Sequence, residues 1–453
     1  MEFNRTLKPD TRTELKFTLP QVQTFNLDNG LKVYFVHRNN LPMIRMNLMI
    51  DAGSKYDKVD KNGLAYLTTL CLDEGAGGLG ALELSDKFDL LGSNFNLSAD
   101  NDSVNISLQS LSENFEQSLE LFSMVLLKPD FSLPEFEREK SKLVTRILQS
   151  KDEPEYLADQ VFDYRIFSAK NGYYSPVSGY EDTVSSLILS DLKEFYTRHF
   201  VPSGSNLVVA GNIEKDDLII LLNKYLKNWK DSNCLNSFEN IYPIQQKRIF
   251  VLDKKDSVQT EIRAGHISPK RNQDDYFRRM ILNTILGGQF TSRINLNLRE
   301  RNGYTYGATS RFQYYKDAGF FEVATSVGIE NTGNALTEIL FELQNIYNGI
   351  TDKELDFAKS SVTKKFPLNF ETYRQIVSGI SSKILFDLPD NYFDTYISMV
   401  NSVTKNEVEM AAKEFILNDE LTIVLVGDKK QIIEKITKLN IGFSEIDFKG
   451  NLI

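Results

Sequence analysis

Histidine and cysteine are nearly missing from this chain, at three and two residues among 453. Cys71 and Cys234 cannot make a disulfide framework, so a reducing compartment is compatible. His37, His199 and His266 include no two at metal-ligand spacing, and each reads as an ordinary strand-end or helix residue. A zinc site drawn from this chain alone would need carboxylates and distant partners. Apolar runs are short, none approaching the ~18 residues of a membrane span. The first ten residues hold no apolar core of a secretory signal; this predicts a cytoplasmic protein and leaves a mature secreted or periplasmic form open. Positive charge is in deficit: 52 basic against 62 acidic residues give −10, which disfavours nucleic acid as a partner. There is no Gly-x-Ser-x-Gly elbow and no cysteine beside a candidate base, so a self-contained hydrolase with another nucleophile finds no support. Gly75-Ala76-Gly77-Gly78-Leu79-Gly80 lacks the lysine of a phosphate loop and reads as a flexible connection.

What the chain does have is the composition of a globular protein, 41% hydrophobic and 25% charged, and length enough for about two to four domains. It also repeats itself. Glu113-Asn114-Phe115 and the charged helical run after it match Glu330-Asn331-Thr332 onward, about 217 residues later. Leu207-Val208-Val209-Ala210-Gly211 returns as Ile423-Val424-Leu425-Val426-Gly427, about 216 residues later. Two matches at nearly one offset argue for duplicated halves. Alternation of Val33 and Phe35 with Lys32, Tyr34 and His37 suits antiparallel strands with one covered face. Asn29-Gly30 supplies a turn between two strands. The expectation is an α+β protein of two homologous domains, each a mostly antiparallel sheet covered by helices. They would span 1–229 and 246–453, joined by a polar, pattern-poor linker at 230–245.

Asn62 to Gly75 is a run with apolar residues at helical spacing, in which Tyr66, Thr69 and Leu70 share one face. It resembles the segment of the insulinase/pitrilysin-type zinc peptidases that carries H-x-x-E-H, where two imidazoles and a carboxylate converge on the metal and its water. A phenol, a hydroxyl and an isobutyl group stand in those places here. The resemblance extends over almost the whole chain, through Pro176 to Asp182, Asp191 to Tyr196 and Asn206 to Asn212. The family supplies a further glutamate ligand from a helix some seventy-odd residues downstream. Aligning Glu139 and Asp152-Glu153-Pro154 with that helix puts Arg146 there, about 76 residues after Leu70. A guanidinium repels a dication, and a one-residue slip would offer only Thr145. Tyr66, Thr69, Leu70 and Arg146 thus make a vacated metal site in the N-terminal domain, and no cofactor is expected in this chain. Asp73 and Glu74 fall on other helix faces and read as a solvated turn or capping region.

The most specific likeness lies in the second half. Ile285-Leu286-Gly287-Gly288 leads through Leu298-Arg299-Glu300 to Gly303-Tyr304-Thr305-Tyr306, similar to the family's glycine-rich turn, arginine and tyrosine. The resemblance implies that Arg299 and Tyr306 face the zinc across a chamber and hold the substrate's carbonyl oxygen, as donors for an oxyanion. Without it, the pair reads as an arginine meeting a helix dipole and a tyrosine in the core. Gly92 to Asp100 resembles the family's edge strand, which makes Asn96, Leu97 and Ser98 candidates for main-chain pairing with an extended peptide. An ordinary exposed edge blunted by Asp100 and Asp102 is the other reading. Some members of the family divide their domains over two chains, one with H-x-x-E-H and one with the Arg/Tyr pair. The implied function is the second of these: a non-catalytic subunit that completes the site of a homologous, zinc-bearing H-x-x-E-H partner cleaving peptides. The alternative is a catalytically dead scaffold or peptide-binding subunit.

Overall fold

The computed structural model describes residues 21–168, 171–231, 241–243 and 245–453. Most of the expected linker, 232–240 and 244, lies outside the described residues. The first half supplies strands β1 (Gln23–Asn26), β2 (Lys32–His37) and β3 (Met43–Ile50), a small hairpin β4 (Gly75–Ala76) and β5 (Leu79–Gly80), then β6 (Asn94–Ala99), β7 (Val104–Leu111) and β8 (Asn206–Gly211). The second supplies β9 (Arg248–Asp253), β10 (Gln259–Ile267), β11 (Ala308–Tyr314), β12 (Gly319–Gly328), β13 (Thr422–Gly427) and β14 (Phe443–Ile446). Helices of the first half are α1 (Leu64–Leu70), α2 (Ala81–Leu90), α3 (Phe115–Leu127), α4 (Leu133–Ser150), α5 (Pro154–Phe167), α6 (Glu181–Ser186), α7 (Leu189–His199) and α8 (Lys215–Leu226). Those of the second are α9 (Tyr276–Leu286), the single turn α10 (Arg293–Asn295), α11 (Thr332–Asn345), α12 (Asp352–Lys365), α13 (Tyr373–Leu385), α14 (Tyr392–Ser402), α15 (Lys405–Phe415) and α16 (Lys429–Ile436).

Two six-stranded sheets result, and the internal repeat is visible in their order. From the edge inward the first runs β6-β7-β3-β8-β2 and the second β11-β12-β10-β13-β9. The sixth strands differ: β1 joins β2 antiparallel through the Asn29-Gly30 turn, whereas β14 joins β9 in parallel. Both sheets are mostly antiparallel, with β2–β8 and β13–β9 the equivalent parallel pairs. The glycines that close the repeated strands have a physical reason. A Cβ at Gly211 would lie 2.7 Å from the Met43 carbonyl oxygen, and one at Gly427 2.9 Å from that of Gln259.

One face of each sheet carries its own helices: Val33, Phe35, Met46 and Leu48 pack beneath the helices of the first half, and Ile249, Ile262, Val323 and Leu425 beneath those of the second. The other face is covered by a helix from the opposite half. In α13, Ile376, Val377 and Ile380 sit on Val36, Val208 and Ala210 of the first sheet. In α5, Leu157, Val161 and Phe162 sit on Phe250, Val424 and Val426 of the second. Expecting one covered face for β2 was therefore incomplete: Val36 is as buried as Val33 because α13 reaches across. Strands covered on both sides become continuous apolar runs, as β8 and β13 are. Polar ties join the halves as well. Asp102 is buried, accepting hydrogen bonds from Lys55 Nζ (3.1 Å), the Tyr173 hydroxyl (2.7 Å) and the Lys316 backbone N–H (2.8 Å). It does not blunt an exposed edge; Asp100 meanwhile closes the β6–β7 turn by accepting from Ser103 and Asp102 N–H groups. No helix among the described residues is long and apolar enough to cross a membrane.

Candidate functional site

Helix α1 is held at its N-terminus by Asp57, whose carboxylate accepts the Gly63 and Ala65 N–H groups at 2.8 and 3.0 Å. Its Leu64, Ala65, Leu67 and Thr68 are buried, which leaves Tyr66 and Leu70 on the half-exposed face. Helix α4 lies alongside and presents Arg146 to that face. Arg146 Nη1 donates to the Tyr66 hydroxyl at 3.0 Å, so the structure brings these two sequence candidates together. Thr69 is buried and its hydroxyl is engaged within the helix, donating to the Ala65 carbonyl at 2.9 Å. A dication would meet a guanidinium already resting on the phenol, a hydroxyl turned inward and an isobutyl group. This donor set does not fit zinc. Among the described residues, no group of three or more His, Cys, Asp or Glu side chains is placed to hold a metal ion.

The acids that follow α1 are tied down rather than solvated. Glu74 pairs with Arg138, and Glu139, two turns before Arg146, accepts from Lys142 Nζ at 2.6 Å. Burial raises the Asp73 carboxyl, and burial together with neighbouring Glu139 raises that of Glu74. For Glu139 burial works the other way from its partners, but Lys142 and a hydrogen bond shared with Glu74 hold it below its ordinary range. Burial also pushes the Cys71 thiol up to about 12, which makes it unreactive. The glycine-rich stretch after Glu74 is an ordered hairpin, not a loose connection: Gly77 N–H bonds to the Lys128 carbonyl at 2.9 Å and Asp130 N–H to that of Gly75 at 2.8 Å. The histidines are structural. His199 stacks between Tyr56 and Phe195, His37 bonds the Ile213 carbonyl, and His266 is enclosed in β10.

In the second half, α9 ends at Gly287, where a Cβ would come within 2.4 Å of the Ser310 hydroxyl; the glycine lets the turn press on β11. The chain continues through α10 into a π-turn, Leu296–Arg301, which ends just past Arg299. Arg299 lies over the Phe290 ring, 4.1 Å from its centroid, with Glu300 3.6 Å from its Nε. Tyr306 stands where the chain enters β11 and is 96% exposed. Its neighbours are fixed: Thr305 and Thr325 hydroxyls both donate to the Gly307 carbonyl. Among the described residues Arg299 and Tyr306 share no hydrogen bond. Tyr306 is therefore not a core tyrosine with a satisfied hydroxyl. Two residues of this arrangement were not singled out from the sequence. Phe290 is the platform for Arg299, and Asn295 joins the Phe290 carbonyl (2.6 Å) to the Ala308 N–H (3.0 Å), clamping the glycine turn to β11. Asn295 gave no signal, since an asparagine inside a helical turn carries no motif.

Asn96, Leu97 and Ser98 lie in β6, the edge of the first sheet beside α1. Their side chains divide. Leu97 packs on the core under α1, whereas Asn96 and Ser98 face the groove between the sheet and α13.

Comparison with known proteins places both halves in one family. Residues 32–172 match the family described as Insulinase (Peptidase family M16), and residues 186–362 the Peptidase M16 inactive domain. The chain is 23% identical to the Non-peptidase homolog YmxG of Helicobacter pylori over 410 residues, covering 89% of this chain and 94% of that one. It is 21% identical to the Uncharacterized zinc protease YmxG of Bacillus subtilis, covering 88% and 96%. A solved peptidase M16 inactive domain from Pseudomonas fluorescens superposes with a TM-score of 0.85 at 26% identity, covering 90% of this chain and 98% of that one. A protease from Helicobacter pylori superposes at 0.84 and 19%, covering 90% and 100%. The chain belongs to the insulinase family of peptidases, M16.

Proposed function

We propose that this protein is the non-catalytic subunit of a two-chain zinc peptidase, giving Arg299 and Tyr306 to the site of a homologous partner that carries H-x-x-E-H. The observation that carries the reading is the pairing of opposites. Arg146 rests on Tyr66 where the family's ligands would stand, while a phenol and a partly exposed guanidinium are held out on an ordered turn with no metal-binding cluster among the described residues for them to serve. Zinc and its activated water belong to the partner in this reading. Arg299 and Tyr306 donate hydrogen bonds to the carbonyl oxygen of an extended peptide as negative charge develops there, and β6 offers main-chain pairing to such a peptide. The chain alone is expected to hydrolyse no peptide and to retain less than stoichiometric zinc after dialysis.

The test is reconstitution with any homologue of the same genome whose sequence carries H-x-x-E-H. Peptide turnover should require both chains, and Arg299→Ala or Tyr306→Phe should lower kcat by about a hundredfold, the usual loss for one oxyanion donor. Unchanged turnover in both variants removes the pair from the site. Stable co-purification with subunits of another complex, and no turnover with the homologue, favours the scaffold reading instead.

A further inference from the structure

The groove between the first sheet and α13 has a charge pattern that nothing above uses. Its volume is about 440 Å³ at one end, where lysines line it with aspartates, and 340 Å³ at the other, where two arginines do. At the lysine end carboxylates stand among the cations, and Lys383 Nζ lies 2.8 Å from Asp390. The arginine end is not matched. Arg45 of β3 and Arg374 of α13 line it together, and among the described residues neither forms an ion pair with any carboxylate. Arg45 gives one Nη2 hydrogen bond to the Ser107 hydroxyl at 3.0 Å, while its buried Nε has no acceptor among the described residues. Burial, and then the like charge of Arg374, hold the Arg45 guanidinium below its ordinary value. The single carboxylate in the lining, Asp100, is already engaged by the N–H groups of Asp102 and Ser103 and by Asn105. The remaining walls mix hydroxyls and amides, Asn47, Asn96, Ser98 and Ser381 among them, with the apolar side chains of Met49, Val377 and Leu385. Two guanidiniums sharing a half-buried groove of neutral donors leave a vacancy for negative charge.

The position of the groove identifies the source of that charge. Asn96 and Ser98 point into it from β6, the edge strand. A peptide added to that edge places alternate side chains on the same face as Asn96 and Ser98. Arg45 rests over Ser107 of β7, two strand spacings or about 10 Å from such a peptide. Closing that gap takes an acidic side chain leaning inward over β6 and the Arg45 guanidinium swinging outward from Ser107 to meet it. We infer that the Arg45–Arg374 groove is a specificity site that takes an aspartate or glutamate side chain of an extended peptide docked on β6. This rests on the reading of β6 as a peptide-docking edge.

The test uses the full chain and two fluorescent extended peptides with blocked ends, one with glutamate at alternate positions and one with glutamine there. Binding is followed by anisotropy at about 0.15 M salt. The glutamate peptide should bind about tenfold or more tightly, as expected for a charge-assisted hydrogen bond. Arg45→Gln and Arg374→Gln, alone and together, should bring the two affinities level without changing that of the glutamine peptide, which also reports that the variants are folded. Equal affinities in the wild type overturn the anion site while leaving β6 as a docking edge. Binding of neither peptide overturns both. If inorganic phosphate then raises the Tm of the wild type and not of the double variant, the groove takes a free oxyanion and the assignment to peptide side chains is wrong.

Discussion

At the scale of the residue, this protein separates chemistry that can be read from letters from chemistry made by burial. Tyr66, Thr69, Leu70 and Arg146 were legible as poor metal ligands because ligand chemistry belongs to the side chain itself, and helix periodicity groups the first three within one turn. Asp102 was not legible. Its partners Lys55, Tyr173 and Lys316 are scattered along the chain, and only folding makes that carboxylate buried. His266 shows what such burial does to a titration. Its Nε2 accepts the Leu417 N–H at 3.1 Å, so the proton sits on Nδ1, which donates to the Ile267 carbonyl at 2.9 Å. Burial lowers its pKa to about 4, against the modest opposing effect of the Ile267 bond. The unfolded chain binds this proton near pH 6.5 and the folded one only near 4, so stability is complete above about 6.5 and falls as the pH drops towards 4. The loss attributable to this one ring is about 3 kcal/mol. Urea midpoints measured between pH 7.5 and 4 should fall more steeply for the wild type than for His266→Gln, whose amide can make both bonds without charging. Parallel curves would remove His266 as the cause.

At the scale of the element, the duplication of strands and helices was legible in the repeat, and the exchanged helices were not. The apolar residues of α5 and α13 announce that a face is buried, but periodicity is silent about which sheet buries it. Gly265 marks the place where the exchange is tightest. It lies in β10 beneath α5, and a Cβ there would stand 1.9 Å from the Phe321 carbonyl oxygen and 2.9 Å from Phe162 Cζ. Backbone cannot yield to the first contact without parting β10 from β12, nor α5 to the second without lifting off the sheet. Gly265→Ala is expected to cost about 3 kcal/mol or more, at the high end for overpacking. Gly442→Ala, where nothing lies within 4 Å, should stay within about 0.5 kcal/mol. Chemical denaturation of the two variants checks both, and a Gly265 variant as stable as the Gly442 one would mean that α5 is not seated as described.

At the scale of the whole molecule, the exchange makes one folding unit out of two repeats. In α13 the side chains of Tyr373, Ile376, Val377 and Ile380 are all buried, against the first sheet. In α5 those of Leu157, Val161, Phe162 and Ile166 are buried against the second. Four large apolar side chains at about 1.5–3 kcal/mol each come to about 10 kcal/mol per helix, as much as the net stability of an ordinary domain. Removing the opposite half therefore strips each sheet of its cover and leaves each exchanged helix with an apolar face in water. A chain divided within residues 232–240 tests this directly. The fragment ending there and the fragment beginning there, expressed separately, should aggregate or lack a cooperative unfolding transition, and when co-expressed should assemble into one species with the circular dichroism and Tm of the uncut protein. Two fragments that each unfold cooperatively on their own would show that the halves need no exchanged helix. Arg299 and Tyr306 on the second half would then be carried by a domain free to move against the edge strand of the first. With the exchange intact, the β6 edge and the Arg299–Tyr306 pair are fixed in one body, as the proposed role in completing another chain's site would require.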